Sequence, residues 1–171
     1  MNAIKHIALA IFLGLFVIGC GNKEEKKKEG FTYEKKQDEP KEQVEDNMTN
    51  LVISGNDQMK FDKTELRVKA GKKVKLTLRH IGKLDKNVMG HNFVLLQKGV
   101  DLMAFGIKAS SARDTDYIPE DATNDIIAHT KLIGGGETTS IEFDAPEPGE
   151  YEFLCSFPGH YALMKGKFIV E

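Results

Sequence analysis

The stretch Cys155-Ser-Phe-Pro-Gly-His160-Tyr-Ala-Leu-Met164 places a thiol, an imidazole and a thioether in one short loop near the C-terminus. One thiolate and two imidazoles in a plane, with a weak and long axial Met, are the ligands of a blue-copper site. The loop lacks only the second imidazole. His91, in Val88-Met-Gly90-His91-Asn92-Phe93, is the candidate for it.

The spacing of the three loop residues distinguishes them from ordinary core residues. Taken alone, a buried Cys is usually structural, a lone Met usually fills a core gap, and a lone His is usually satisfied by its neighbours. Four residues separate Cys155 from His160, and they include Pro158-Gly159, so the chain turns sharply and directs both side chains at one ion. Three more residues bring Met164 to the axial position. The pattern predicts copper ligands at Cys155, His160 and Met164, with His91 as the candidate for the remaining imidazole.

Length and charge limit the class of protein. A chain of 171 residues with a formal net charge of −2 has room for one globular domain and extensions. Its Lys and Glu residues are interspersed along the domain, which does not suggest the basic face that binds nucleic acid. We therefore expect no nucleic-acid partner.

The N-terminus predicts export and lipid attachment. Residues 1–19 combine Lys5 with the apolar run Ile7–Ile18, which is too short for a comfortable membrane span and is typical of a signal peptide. Val17-Ile18-Gly19-Cys20 resembles a bacterial lipobox, in which a diacylglyceryl group is attached to the thiol. Cys20 is therefore expected to be the acylated first residue of a mature, membrane-tethered protein. The alternative is an incidental Cys after an ordinary signal.

Residues 20–49 are expected to form a disordered, charged tether behind the acylated Cys. The segment from Gly21 to about Met48 is dominated by Lys, Glu, Asp and Gln and has almost no aliphatic residues to bury. If Cys20 is acylated, Cys155 is the only thiol left in the mature chain. No intramolecular disulfide is then possible.

Alternating apolar and polar residues predict an all-β domain over residues 50–171. The strand-like segments are Val74–Arg79, Phe93–Leu96, Thr139–Asp144, Glu150–Phe153 and Gly166–Val170. Turn signals such as Ala70-Gly71 and Pro146-Glu-Pro-Gly149 separate them, a spacing that is typical of an antiparallel sandwich. Leu102–Ser111 breaks the pattern and predicts a short helix, followed by a loop to Asp125.

Four segments, in order along the chain, resemble the azurins, which are bacterial cupredoxins. The segments are Gly55–Phe61, Asn87–Leu95, Asp125–Gly134 and Cys155–Lys165, so the likeness covers nearly everything from about Asn50 to the C-terminus. The resemblance implies a Greek-key, cupredoxin-like β-sandwich with a short helical insertion around residues 102–124. It also implies one type 1 copper per chain, with the Gly90 carbonyl as a further weak axial contact.

The resemblance extends to the surroundings of the ligands. Asn92 matches the residue whose side chain braces the ligand loop, and the backbone N–H of Phe157 is expected to donate to the Cys155 sulfur. Phe93 stands where azurins often have a buried Trp. The chain departs from the family at the usual disulfide, whose positions look like Thr49 and Gly71.

Two other histidines are not predicted ligands. His80 matches an azurin histidine near the metal that can titrate, so proton uptake there would couple to reduction. The alternative is a buried or capped histidine without such coupling. His129, on the expected strand Ile126–Thr130, is interpreted as a surface residue with no role.

The ligand set favours one-electron transfer, because it offers no acid, base or open coordination position for catalysis. We expect a membrane-tethered electron carrier outside the cytoplasm, periplasmic or at the cell surface. Its expected donor is a c-type haem protein, and its acceptor a peroxidase or nitrite reductase. His160 is expected to be the exit for the electron, surrounded by an apolar patch of Leu84, Met89, Phe157, Ala162 and Leu163. The alternatives are copper buffering or delivery, and a cell-surface interaction lipoprotein in which copper is only structural.

Overall fold

The computed structural model describes residues 47–171, which form nine strands and two α-helices. The strands are β1 (Met48–Asn56), β2 (Lys60–Phe61), β3 (Glu65–Val68), β4 (Lys73–His80), β5 (Val94–Leu96), β6 (Ile126–His129), β7 (Thr138–Asp144), β8 (Gly149–Leu154) and β9 (Lys165–Val170). The helices are α1 (Lys86–Met89) and α2 (Leu102–Ala109), with 3-10 turns at Arg113–Thr115, Glu120–Asp125 and His160–Ala162.

The strands form two sheets, which confirms the predicted all-β sandwich. One sheet has the order β2-β1-β4-β7, and the other has the order β3-β9-β8-β5-β6. The expectation of an antiparallel sandwich was wrong in two places, because β1 pairs with β4, and β3 with β9, in parallel. Parallel neighbours need a crossover connection rather than a hairpin. For β1 and β4, the chain through β2 and β3 supplies this crossover. The alternation of residues within a strand does not predict such a route.

The core lies between the sheets and is built by the alternation seen in the sequence. In β4 the buried positions are Val74, Leu76, Leu78 and His80, so one face of the strand points inward. On the opposite side of the core, the largest fully buried side chains include Phe153 and Phe168 of the five-stranded sheet, and Phe93, which directly precedes β5. Phe93 stacks on Phe153 with ring centroids 5.1 Å apart. Phe93 therefore fills the core, as expected.

The helical insertion lies against the five-stranded sheet, as predicted for residues 102–124. The carboxylate of Asp101 caps α2 by accepting the N–H groups of Met103 and Ala104. A second apolar cluster joins α2 to the sheet through Leu102, Phe105, Val94, Leu96 and Leu154. Because Val94 and Leu96 face the insertion while Leu95 faces the main core, β5 is buried on both sides.

The N-terminal predictions fall largely outside the described part of the chain. The signal peptide, Cys20 and nearly all of the tether precede residue 47. The first strand begins at Met48, two residues before the expected boundary, and Met48 and Thr49 pair with Lys73 and Val74. Within residues 47–171, the only free cysteine is Cys155. No helix in that range is long and apolar enough to cross a membrane.

Candidate metal centre

His91, Cys155 and His160 come together at one end of the sandwich. One potential ligand atom from each lies within 4.8 Å of the others, and all three residues are buried. The Cys155 sulfur is 3.9 Å from Nδ1 of His91 and 3.6 Å from Nδ1 of His160. The structure thus brings together the thiol and both imidazoles that the sequence predicted. In sequence, His91 is 64 residues and His160 is 5 residues from Cys155.

Each of these residues follows or begins an element that fixes its direction. His91 follows α1 and exchanges two backbone hydrogen bonds with Ile133, both 2.9 Å long. Cys155 follows β8, and its N–H donates to the carbonyl of Met164 at 2.9 Å. His160 begins a 3-10 turn, where Gly159 has φ 81°, a left-handed conformation that favours glycine. The loop between β8 and β9 is therefore closed on itself.

The ring of His91 is oriented by the backbone. Its Nε2 is 3.0 Å from the carbonyl of Asn56, so Nε2 carries the proton and donates. Nδ1 is left with a free lone pair directed at Cys155. Such a hydrogen bond on the outer nitrogen is the usual way in which a ligating imidazole is held in one tautomer.

Burial keeps both imidazoles neutral at physiological pH. Desolvation lowers the pKa of His91 to about 4, although the Asn56 carbonyl opposes the change. Desolvation also lowers the pKa of His160 to about 4, with the nearby His91 and His80 acting in the same direction. A neutral imidazole is the form that binds a metal. Protons therefore do not compete with a metal for these two nitrogens near pH 7.

The thiol of Cys155 is in the opposite situation. Burial raises its pKa to about 12, and the backbone N–H groups of Asn92 and Phe157 partly oppose that rise. Those two N–H groups favour the thiolate, as expected for Phe157. A cation at the centre would favour it much more strongly, because a coordinating thiol is deprotonated.

Met164 and Gly90 lie at the same centre. Met164 is fully buried in one apolar cluster with Cys155, Phe157, Tyr117 and Leu132. The Gly90 carbonyl is 3.8 Å from the Cys155 sulfur. A Cβ on Gly90 would lie 2.5 Å from the Lys86 carbonyl, so glycine is required there by close packing.

Asn92 braces the site, as the sequence predicted, and it does so through Ser156. The amide nitrogen of Asn92 donates to Oγ of Ser156 at 2.8 Å, and its oxygen accepts the Ser156 N–H at 2.8 Å. These residues directly follow His91 and Cys155 in sequence. The two ligand-bearing segments are therefore joined by a reciprocal pair of hydrogen bonds.

Sequence reasoning missed three residues of the site. Gly55 lies against the ligands, since a Cβ there would be 2.7 Å from Cδ2 of His91 and 3.2 Å from Cε of Met164. Ser156 completes the Asn92 brace, and Asn56 holds His91 through its carbonyl. Gly55 and Asn56 belong to Gly55–Phe61, the first segment that resembles the azurins, and only that resemblance pointed to them. A contact made by a backbone atom cannot be recognised from the residue type.

The donor set fits copper. With the bond lengths known for Zn²⁺, a first-row ion that binds the same donors, of about 2.3 Å to sulfur and about 2.0 Å to nitrogen, and a trigonal angle of about 120°, a bound thiolate and imidazole have ligand atoms about 3.7 Å apart. The two sulfur–nitrogen distances, 3.6 and 3.9 Å, lie on either side of that value. One thiolate, two imidazoles and a nearby thioether are the set that blue-copper sites use.

Comparison with known proteins bears on the same conclusion. Residues 47–171 match a family described as copper binding proteins, plastocyanin/azurin family. The chain belongs to this family. Copper is therefore the cofactor of this cupredoxin, and its family is one of electron-transfer proteins.

Individual relatives support the assignment. The cupredoxin is 49% identical over 121 residues to Azurin-1 of Alcaligenes xylosoxydans xylosoxydans, a match that covers 68% of this chain and 93% of the relative. It is 47% identical over 124 residues to azurin of Bordetella pertussis, covering 68% of this chain and 80% of that one. Outer membrane protein H.8 of Neisseria meningitidis is 45% identical over 120 residues, a match that covers 68% of this chain and 64% of the relative.

Solved structures agree with the fold. Auracyanin from Roseiflexus castenholzii, in a dithionite-reduced state, is similar with a TM-score of 0.65 and 36% identity, covering 72% of this chain and 97% of that one. Auracyanin A from Chloroflexus aurantiacus, described as a "blue" copper protein, is similar with a TM-score of 0.66 and 33% identity. The match covers 72% of this chain and 99% of that one.

The other two histidines in the described part of the chain are His80 and His129. His80 stacks on His91, with ring centroids 4.2 Å apart. Its Nδ1 accepts the Gly82 N–H at 3.1 Å, and its Nε2 lies 2.7 Å from the carbonyl of Met89. It is thus buried and bonded at both nitrogens, and its coupling to reduction stays a prediction. His129 is exposed at the end of β6.

The expected apolar patch is partly present at the surface. Leu84 is 42% exposed and Leu163 is 62% exposed, while Ala162 is exposed and Met89 half-buried. Phe157 is only 7% exposed, because it packs on His160 with ring centroids 4.6 Å apart. His160 itself is 2% exposed.

Proposed function

We propose that the protein is a membrane-tethered type 1 blue-copper electron carrier with His91, Cys155 and His160 as equatorial ligands. Met164 would be a further, weaker ligand from the same loop, and the Gly90 carbonyl would make a weak contact. The observation that carries the proposal is the pair of sulfur–nitrogen distances of 3.6 and 3.9 Å within a buried pocket. Copper, when bound, would supply the one-electron chemistry.

The chain's own residues keep the site rigid and dry. The Asn56 carbonyl fixes the His91 ring, and the Asn92–Ser156 pair joins the two ligand segments. Burial of the ligands excludes water from the site. A site held in one geometry changes little between the two oxidation states, which favours outer-sphere electron transfer.

The electron leaves through the edge of His160 to partners outside the cytoplasm. We propose transient contacts with a c-type cytochrome or a similar redox protein at the surface that carries Leu84, Ala162 and Leu163. The domain is carried on a tether from an acylated Cys20 at a bacterial membrane. The likeness to Outer membrane protein H.8 supports membrane association.

Copper addition to the full-length protein in detergent tests the site. We expect an intense blue thiolate charge-transfer band and a narrow copper hyperfine splitting, both lost in Cys155→Ser. A pale, ordinary copper spectrum in the unaltered protein would refute the ligand set.

Fractionation tests the anchor separately. The unaltered protein should sediment with membranes and carry acyl chains on Cys20 in mass spectra of the N-terminal peptide. Cys20→Ala should leave the membrane fraction. Recovery of both in the soluble fraction would show that the chain has no lipid anchor.

A further inference from the structure

Two residues in the helical insertion have a backbone conformation that is unusual for their type. Asp116 has φ 55° and ψ 33°, and Tyr117 has φ 61°, so both are left-handed. Non-glycine residues rarely adopt positive φ, and a bulky residue such as Tyr is a clear outlier there. Such conformations persist only where the surrounding structure holds them, and they occur preferentially at functional sites.

The turn at Asp116–Tyr117 presents both of its carbonyls to the copper site. The Asp116 carbonyl accepts the amide of Asn92 at 3.1 Å, and the Tyr117 carbonyl accepts the hydroxyl of Ser156 at 2.8 Å. Asn92 and Ser156 are fully buried, and they directly follow His91 and Cys155. The turn therefore completes the hydrogen bonding of the pair that joins the two ligand segments.

The side chains of the turn reach two further parts of the site. The Tyr117 ring is 8% exposed and packs edge-on against Phe157, with centroids 5.1 Å apart and planes at 69°. The Asp116 carboxylate accepts the N–H of Leu132 at 3.3 Å. A Cβ on Gly90 would lie 2.9 Å from Leu132, so this contact reaches the segment before His91.

We infer that the Asp116–Tyr117 turn is a positioning element of the copper site. Its left-handed backbone aims two carbonyls at Asn92 and Ser156 and thereby sets the spacing between His91 and Cys155. In a right-handed or extended conformation the same carbonyls would point elsewhere, and two buried donors would lose acceptors. The inference rests on the proposed function, because the spacing acts through the proposed ligands.

Two substitutions at one position separate the backbone from the carboxylate. Asp116→Gly and Asp116→Val both remove the bond to Leu132, but Gly adopts positive φ freely, whereas β-branched Val strongly resists it. We expect the Gly variant, which loses only the bond to Leu132, to stay much nearer than the Val variant to the unaltered protein in hyperfine splitting and in rate of copper loss to excess chelator. The Val variant should lose copper about tenfold faster, since an orphaned buried donor weakens a site by about this factor, and its hyperfine splitting should change.

A measurement without copper gives an independent readout. In the copper-free protein, the side-chain amide protons of Asn92 should exchange with solvent faster in Asp116→Val than in Asp116→Gly. Gly71→Val is the matched control, because Gly71 also has a left-handed φ of 70° and an added Cβ there would meet no other atom within 4 Å. It adds similar strain in the β3–β4 turn and should leave the copper spectrum and Asn92 exchange unchanged.

The outcomes distinguish the two claims. If the unaltered protein shows no blue spectrum, the proposed function fails. If the spectrum is blue but the Val and Gly variants behave alike, or Gly71→Val has the same effect as Asp116→Val, the positioning role is refuted. Should Asp116→Val not fold, Asp116→Ala, which also disfavours positive φ but is less bulky, must lose copper faster than Asp116→Gly.

Discussion

At the scale of single residues, the three ligand candidates differ in their protons. The thiol of Cys155 has its pKa raised to about 12, whereas the imidazoles of His91 and His160 have theirs lowered to about 4. All three shifts have burial as their largest cause. At pH 7 the site therefore holds one proton that a metal must displace, and two nitrogens that are already free to bind.

Copper binding should accordingly release one proton per ion near pH 7, and that proton comes from Cys155. Titration of the copper-free protein with Cu(II) in weakly buffered solution containing a pH indicator measures it. Cys155→Ser is the control and should release none from this site. Release of two or three protons would mean that the histidines are charged before copper binds.

The histidine shifts also predict acid sensitivity of the copper-free protein. Between pH 6.5 and about 4 the unfolded chain binds protons at His91 and His160 that the folded chain does not. The two neutral histidines therefore make their whole contribution to the free energy of unfolding above pH 6.5. That contribution falls on acidification, by at most about 1.4 kcal/mol per histidine per pH unit. Urea unfolding at a series of pH values measures it.

His91→Gln and His160→Gln should each flatten that pH dependence. His129→Gln is the control, because His129 is exposed at the end of β6 and should leave the slope unchanged. A slope that all three variants share with the unaltered protein would assign the acid sensitivity to other groups.

At the scale of elements, helix α2 packs against the ligand loop. Gly106 of α2 faces Tyr161, which follows His160, and a Cβ on Gly106 would lie 2.3 Å from Cγ of Tyr161. Gly is otherwise unfavourable within a helix, by about 1 kcal/mol relative to Ala. Its presence at this position is explained by the close approach of the ring.

Gly106→Ala should therefore destabilise the fold, by roughly 1–3 kcal/mol for overpacking, despite the better helix propensity of Ala. Tyr161→Ala removes the ring but leaves Cβ of residue 161 at 2.8 Å from the added Cβ, so in that background the same change should destabilise the fold less than it does beside the intact ring. Chemical denaturation of the four proteins of this cycle gives the coupling. An equal effect of Gly106→Ala in both backgrounds would show that the contact is unimportant.

At the scale of the whole molecule, the surface around His160 is where we propose that redox partners dock. Leu163 is 62% exposed beside the ligand loop, in the patch proposed as the docking surface. A charge at the centre of an apolar contact leaves a desolvated, unpaired group in the encounter complex. Contact there is therefore sensitive to charge in a way that contact elsewhere is not.

Leu163→Glu should slow electron exchange with a c-type cytochrome by about tenfold, because about 1.4 kcal/mol of lost encounter affinity corresponds to that factor, while the copper spectrum stays unchanged. Val52→Glu is the matched control, since Val52 is 37% exposed on β1, away from the ligand loop. Stopped-flow mixing at several ionic strengths measures the rates. Equal rates for both variants would place the docking surface elsewhere.

Much of this protein was predictable because its decisive information is local in sequence. Cys155, His160 and Met164 share one loop whose offsets alone indicate copper ligands, and the alternation in Val74–Arg79 indicates a strand with one buried face. The family resemblance strengthened the choice of His91 and implied that the helical segment is an insertion outside the sandwich. Ligand identity and strand alternation depend on residue type and spacing, which a sequence displays directly.

Only the tertiary structure decided the features that depend on backbone groups from distant segments. The parallel pairing of β1 with β4, the Asn56 carbonyl on His91, and the Asp116–Tyr117 carbonyls on Asn92 and Ser156 are of this kind. Every residue carries a backbone carbonyl, so residue type does not record which of them meet a given donor. The sequence by itself determined which residues are proposed to bind the metal, and the fold decided how their side chains are held.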